Sequence, residues 1–244
     1  MKILLAPAET KKEGGVNTPY SKENFIFPKL FDYRDEVVDL YEELLKNSSI
    51  EQLSSWFGIK KESEVIKYSS SILDKPTMKA IQRYTGVAFD YLGYEELPKD
   101  AQKYCDKNVV LFSNLFGPIG ASDLIPDYKY KQGAKLPNIN VEKHYKDNFS
   151  KSLDEYLGED IVDLRAGYYD KFYIPKQPYI TMKFIKDGKV VSHWAKAYRG
   201  IVLKYLAINN IENIQDLMNL NIPNLHINEI KKIKNQTQII YHIV

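Results

Sequence analysis

Two runs of this sequence place cations where a strand gives way to a loop or a helix. SHWAKAYRG, residues 192–200, follows an apolar run and carries Lys196, Arg199 and Gly200. The opening MKILLAPAETKKEGG passes from a short apolar strand into Glu9, Thr10, Lys11 and Lys12, then Gly14-Gly15. Strand ends that face loops are where ligands are held, whereas cores are packed between them. The chemistry these residues support is capture of an anion, by ammonium groups and by the planar guanidinium fork. Lysine is abundant and arginine scarce; the arginines are Arg34, Arg83, Arg165 and Arg199. Arg165 and Arg199 adjoin strand ends and read as bidentate anion contacts, against the commoner surface or structural use of arginine.

Further anion contacts come from two other stretches. Residues 76–84 and 87–92 read as two short helices joined by Thr85-Gly86, an arrangement like a helix-hairpin-helix. Such an element offers backbone amides to a DNA phosphate, with Gly86 at the turn and Lys79 and Arg83 as nearby cations. A plain helical packing corner is the competing reading. The loop after residue 112 carries Asp123, Tyr128, Lys129, Lys131 and Gly133. Together the segments assemble a basic cleft containing Lys11, Lys129, Lys131, Arg165, Lys196 and Arg199, mixed with the carboxylates Glu9, Asp123 and Asp163. Asp123 and Glu9 are the candidates for a general base, or else orient the cations as ion-pair partners. Tyr128, Tyr168, Tyr169 and Tyr198 could stack on bases, although with 19 tyrosines most must serve packing.

Other chemistries find no pattern. The histidines His144, His193, His226 and His242 lie at no metal-ligand spacing, so no metal is expected. His193, three residues before Lys196, suits either a buried strand or the cleft. No Walker A, G-x-S-x-G or G-x-G-x-x-G motif occurs, and no cofactor is expected. Cys105 is the single cysteine, so no internal disulfide can form, and a structural thiol in a reducing cytoplasm is the natural reading.

The elements that must position these residues are legible in part. The chain has 244 residues, 44% hydrophobic and 27% charged, with a net charge of +2. That suits a single domain over 1–244, and any nucleic-acid contact must come from a local basic face. No apolar segment approaches the ~20 residues that span a bilayer. Nor does the start resemble a signal peptide, so a cytoplasmic location is expected. Apolar runs predict strands over 3–6, 109–112, 161–164 and 238–244. Helical periodicity marks 30–46, 141–157, 198–209 and 214–220, and Ser49 caps a helix reaching residue 56. Asp187-Gly188 predicts a hairpin between strands 179–185 and 189–194. Strands and helices mix without strict alternation, so the class is α+β: an irregular single-domain mixed sheet surrounded by helices.

The same blocks, in this order, resemble the YaaA family of peroxide stress resistance proteins. APAETK is similar to the family's PSETK or SPAKT opening, and YTGVAFDYL to its Gly-x-Val-Tyr-x-Gly-Leu segment. LFSNLFGPIGASDLIPDYKYKQG resembles its SGLYGVLRPxDxxxPYRxxMG block. VDLRAGYY resembles its NLAS or DLRS stretch, and AKAYRG its AKxxRG. Departures are Gly120 and Lys129, each where an arginine is common, Ala6 in place of a serine, and Tyr91 in place of the second glycine. The resemblance implies a single α+β fold with a positively charged cleft. It also implies double-stranded DNA binding through the hairpin element and a role limiting oxidative damage and free iron under peroxide stress. A non-enzymatic DNA-binding protein is therefore the first expectation. An enzyme acting on a nucleotide or damaged nucleobase in the same cleft is the alternative.

Overall fold

Ile3, Leu4 and Leu5 are consecutive and all buried, so the strand they form must be covered on both faces. That requirement places a strand inside a parallel sheet. The computed structural model describes residues 1–16, 18–186, 188–190 and 192–244, with the side chains of Val190, Ser192 and His193 outside the description. The expectations for Asp187 at the hairpin turn and for the His193 side chain therefore lie outside the described residues.

The strands in chain order are β1 (Lys2–Leu5), β2 (Thr77–Lys79), β3 (Val109–Ser113), β4 (Gly117–Gly120), β5 (Leu124–Pro126), β6 (Ile161–Asp163), β7 (Tyr179–Lys186), β8 (Lys189–Val190), β9 (Leu225–Ile233) and β10 (Gln236–Ile243). The main sheet has the order β4-β3-β1-β6-β7-β10-β9, with β8 paired to β7. Neighbours among β3, β1, β6, β7 and β10 run parallel; β4, β8 and β9 are antiparallel additions. β2 and β5 form a separate antiparallel pair. This is the mixed sheet flanked by helices that the sequence predicts. The chain passes from β1 to β3 on one side, then crosses to β6 on the other. At such a reversal a crevice opens beyond the carboxyl ends of the strands.

The helices are α1 (Phe31–Asn47), α2 (Ile50–Phe57), α3 (Glu62–Tyr68), α4 (Ala80–Arg83), α5 (Val87–Leu92), α6 (Lys99–Asn108), α7 (Val141–Leu157), α8 (Ser192–Ile208) and α9 (Ile214–Asn219). α7 buries Val141, Tyr145, Phe149, Leu153 and Leu157, an unbroken stripe at four-residue spacing. The Asn140 side chain caps it by accepting from the Lys143 amide. α1 packs against α7, and α8 packs against α5, α6 and β7.

Three local expectations change. Of the second hairpin strand, expected over 189–194, the described residues form Lys189–Val190, and α8 starts at Ser192, ahead of the expected 198. The segment 76–84 is not one helix: β2 takes Thr77–Lys79 and α4 is a single turn. β9 was not expected, because its exposed Lys, Asn and Glu residues hide the strand pattern.

Gly200 sets how closely α8 meets α5. A Cβ there would stand 2.0 Å from the Ala88 carbonyl oxygen and 3.0 Å from the Leu92 nitrogen. Both are backbone atoms and cannot swing aside. Gly200→Ala should therefore cost about 1–3 kcal/mol through overpacking. In a chain this long, that lowers Tm by roughly 2–4 °C per kcal/mol. Gly167→Ala is the control, since a Cβ there meets nothing within 4 Å. Circular-dichroism melting of both variants decides the point. Equal Tm values for wild type and Gly200→Ala would show that the helices do not need this contact.

Candidate functional site

The crevice beyond the parallel strands is a cleft of about 390 Å³. Leu5, Ala6, Pro7, Ala8, Glu9 and Thr10 continue from β1 along one side. Asn114 follows the end of β3, and Ala166 and Tyr169 follow β6. Thr85, Gly86, Val87, Ala88 and Phe89 bring in the start of α5, while Lys196 and Arg199 come from α8 and Gln132 from the loop after β5. Lys196 and Arg199 are three residues apart, so one helix face carries both. A larger hollow of about 680 Å³ lies beside Tyr168, but one loop and the start of α7 supply most of its lining. The strand ends converge only on the first.

The sequence-predicted cations divide sharply. Lys196 is exposed and Arg199 half-buried, and neither has an ion pair among the described residues. Burial pulls the Arg199 guanidinium pKa down, and the Asp163 charge pushes it back up. Arg165 is buried. Its Nε and Nη2 donate to the two Asp163 carboxylate oxygens at 2.9 and 2.7 Å, and its nitrogens reach the Tyr169 and Tyr173 carbonyls. The guanidinium also stacks on Phe112 at 4.2 Å. Arg165 thus shapes the loop that brings Ala166 and Tyr169 to the cleft, with its charge held by Asp163. Arg83 is buried too and donates to the carbonyls of Ile125, Lys12 and Pro76. Lys79 pairs with Asp106 at 2.6 Å. Lys131 extends against Gly58, away from the cleft.

Of the three residues named on the two-helix element, Lys79 and Arg83 do not line the cleft, whereas Gly86 reaches it. Its φ of 103° is a conformation open to glycine, and a Cβ would stand 3.3 Å from the Thr10 hydroxyl.

The carboxylates separate as well. Glu9 lines the cleft and pairs with Lys129 at 3.5 Å. Asp123 lies at the opposite edge of the sheet, because β4 runs antiparallel to β3 and ends beside the start of β3. There Asp123 accepts from the Gly120 and Ile26 amides. Burial raises its pKa to about 6, against the lowering from those amides and Arg34. The structure does not bring Asp123 to the other candidates. Among the tyrosines, Tyr169 lines the cleft; Tyr128 and Tyr198 are buried, and Tyr168 donates to Glu142.

Two features escaped the sequence reading. Asn114 is 7% exposed, and its Oδ1 has no hydrogen-bond partner among the described residues. Its amide faces the Tyr169 hydroxyl. A polar residue directly after a buried strand was the available signal. The second is the setting of Lys11. Its Nζ lies 4.0 Å from the Tyr128 ring centroid and 5.3 Å from that of Tyr84, and it donates to the Glu9 carbonyl. The Tyr84 and Tyr128 hydroxyls bond each other at 2.7 Å, and Tyr128 bonds Ser113. The residue is half-buried as a whole, yet its amine is enclosed. Desolvation lowers its pKa to about 7, with Asp127 opposing and Lys129 assisting. Cys105 is buried, which pushes its thiol up to about 12. Among the described residues no group of three or more His, Cys, Asp and Glu is placed to hold a metal ion, and no helix is long and apolar enough to cross a membrane.

The Lys11 amine couples stability to pH. The unfolded chain keeps its proton up to its usual 10.5, whereas the folded chain releases it near 7. The folded state is therefore penalised below pH 7, and the penalty fades as pH rises through that window. Lys11→Met should be more stable than wild type by on the order of 2 kcal/mol at pH 6.5. At pH 9.5 that gain should shrink by more than half. Urea unfolding at both pH values measures it. A gain that is the same at both would show an amine of ordinary pKa.

A protein-family model described as "Peroxide stress protein YaaA" matches residues 1–231. An uncharacterized protein of Campylobacter jejuni, Cj0984, is 50% identical over 233 residues, covering 95% of this chain and 94% of that protein. A UPF0246 protein of Corynebacterium glutamicum is 32% identical, covering 90% and 91%. Another from Streptomyces coelicolor is 28% identical, covering 84% and 82%. With the model spanning nearly the whole length and the blocks of the cleft inside the match, the chain belongs to the YaaA peroxide stress protein family.

Proposed function

We propose that this protein serves the peroxide stress response in the cytoplasm by binding double-stranded DNA across the mouth of the cleft, and so limits oxidative damage and free iron. The observation that carries this reading is the pair Lys196 and Arg199 at the rim, without ion-pair partners among the described residues. Cations left unneutralised beside the glycine turn at Gly86 suit phosphate oxygens. Family membership supplies the link to peroxide. With Lys79, Arg83 and Arg165 engaged inside the protein, the phosphate footprint is small. Two or three phosphate contacts give a slope of log K against log salt of about −2 to −3.

Fluorescence anisotropy with a labelled duplex over a salt series tests this. Lys196→Ala/Arg199→Ala should weaken binding at least tenfold, equally for unrelated sequences, and flatten the salt slope. Affinity and slope unchanged in the double variant would remove DNA from this cleft.

The bounded shape of the cleft favours a second reading, an enzyme acting on a nucleotide or damaged nucleobase. Glu9 is then the acid–base group, since Asp123 is at the far edge. On this reading Glu9→Gln abolishes turnover of the nucleotide while leaving its binding intact. A variant that keeps full turnover excludes Glu9 from the chemistry.

A further inference from the structure

We propose that the cleft takes one nucleoside monophosphate unit, with Asn114 reading the edge of its base and Lys196 and Arg199 holding its phosphate. The phosphate contacts rest on the reading above; the base-reading residue and the size of the ligand go beyond it.

Three observations converge. The first is Asn114, fixed at the end of β3, more than nine-tenths buried and lining the cleft. Its Oδ1 has no partner among the described residues. Buried acceptors are almost always satisfied, and one left open in a cleft calls for a donor on whatever enters. With its amide facing the Tyr169 hydroxyl, the side chain offers an acceptor beside a hydroxyl. An exocyclic amino group of adenine or cytosine, next to a ring nitrogen, presents the matching donor and acceptor. The second is the cleft wall. Ala6, Ala8, Val87 and Phe89 are apolar and supply surfaces for a flat ring. The third is size. About 390 Å³ falls in the range of pockets that enclose small molecules, roughly 300–1,000 Å³, and admits a nucleotide but no duplex.

A nucleotide can reach such a cleft from a strand or from solution. From a strand, it must turn out of the helix, which costs least where the base is mispaired. The protein should therefore favour a duplex carrying one mispaired adenine over its fully paired counterpart.

The test uses the full chain, both duplexes in the anisotropy assay, and deoxyadenosine 5′-monophosphate measured separately by calorimetry. Wild type should bind the mispaired duplex at least fivefold tighter. Asn114→Leu should erase that preference while leaving affinity for the paired duplex within twofold. Ala8→Leu, which fills the wall without altering Asn114, should do the same and guards against a folding defect in the first variant. Binding of the free mononucleotide, lost in both variants, with no duplex binding, would uphold the base-reading site, make solution the source, and overturn the DNA reading. Salt-dependent duplex binding with no mispair preference and no mononucleotide binding would leave the DNA reading standing and overturn this one.

Discussion

The carboxyl edge of the sheet depends on a guanidinium taken out of water. Arg165 is buried at the end of β6, and it is stable there because Asp163, two residues earlier, meets it with both carboxylate oxygens. Its remaining contacts go to carbonyls at Tyr169 and Tyr173, so one side chain fastens the loop that turns back over the cleft. Removing one partner of such a pair leaves an uncompensated charge, a loss of about 3–5 kcal/mol. Arg83 repeats the device on the other side, tying the segments around Lys12, Pro76 and Ile125 to α4. Arg34 does so beneath α1, reaching the carbonyls of Phe116 and Pro118. Planar donors gather carbonyls from segments distant in sequence, a task lysine performs poorly.

That use of arginine decides how the site is charged. A cleft lined by every basic residue near the strand ends would be a broad electropositive surface. Instead Arg165 is neutralised by Asp163, Arg83 is engaged by backbone carbonyls, Lys129 is paired to Glu9, and Lys11 is enclosed by rings. Among the described residues that line the cleft, the cations are Lys196 and Arg199 of α8, and neither has an ion pair. The site is suited to one or two phosphates held at a defined place.

The sheet strands β1, β3 and β6 were legible because short, unbroken apolar runs have few alternatives, and α1 and α7 because their stripes repeat over seventeen residues. The start of α8 was not: the expected strand ran on to residue 194, whereas the helix that packs on α5 begins at Ser192. Arg165 and Arg83 read as ligand contacts because a sequence does not show which side of a loop or a one-turn helix faces inward. Asp123 shared a block with Tyr128 and Lys129, yet the antiparallel turn of β4 carries it to the opposite edge. Chain proximity misled there; Glu9, which follows β1, and Lys196 and Arg199 of α8 line one cleft.

The order of strands also constrains how the protein is made. β10 lies between β7 and β9, and it is synthesised after both. β1 emerges first but rests between β3 and β6, more than a hundred residues downstream. A ribosome-bound chain therefore holds an apolar first strand without a neighbour until β3 is made, and an open edge on β7 from residue 186 until β10 follows. Contacts of such range are slow to form and leave aggregation-prone edges exposed meanwhile. The protein's yield in a cell then turns on protection of the nascent chain as well as on the stability of the finished fold.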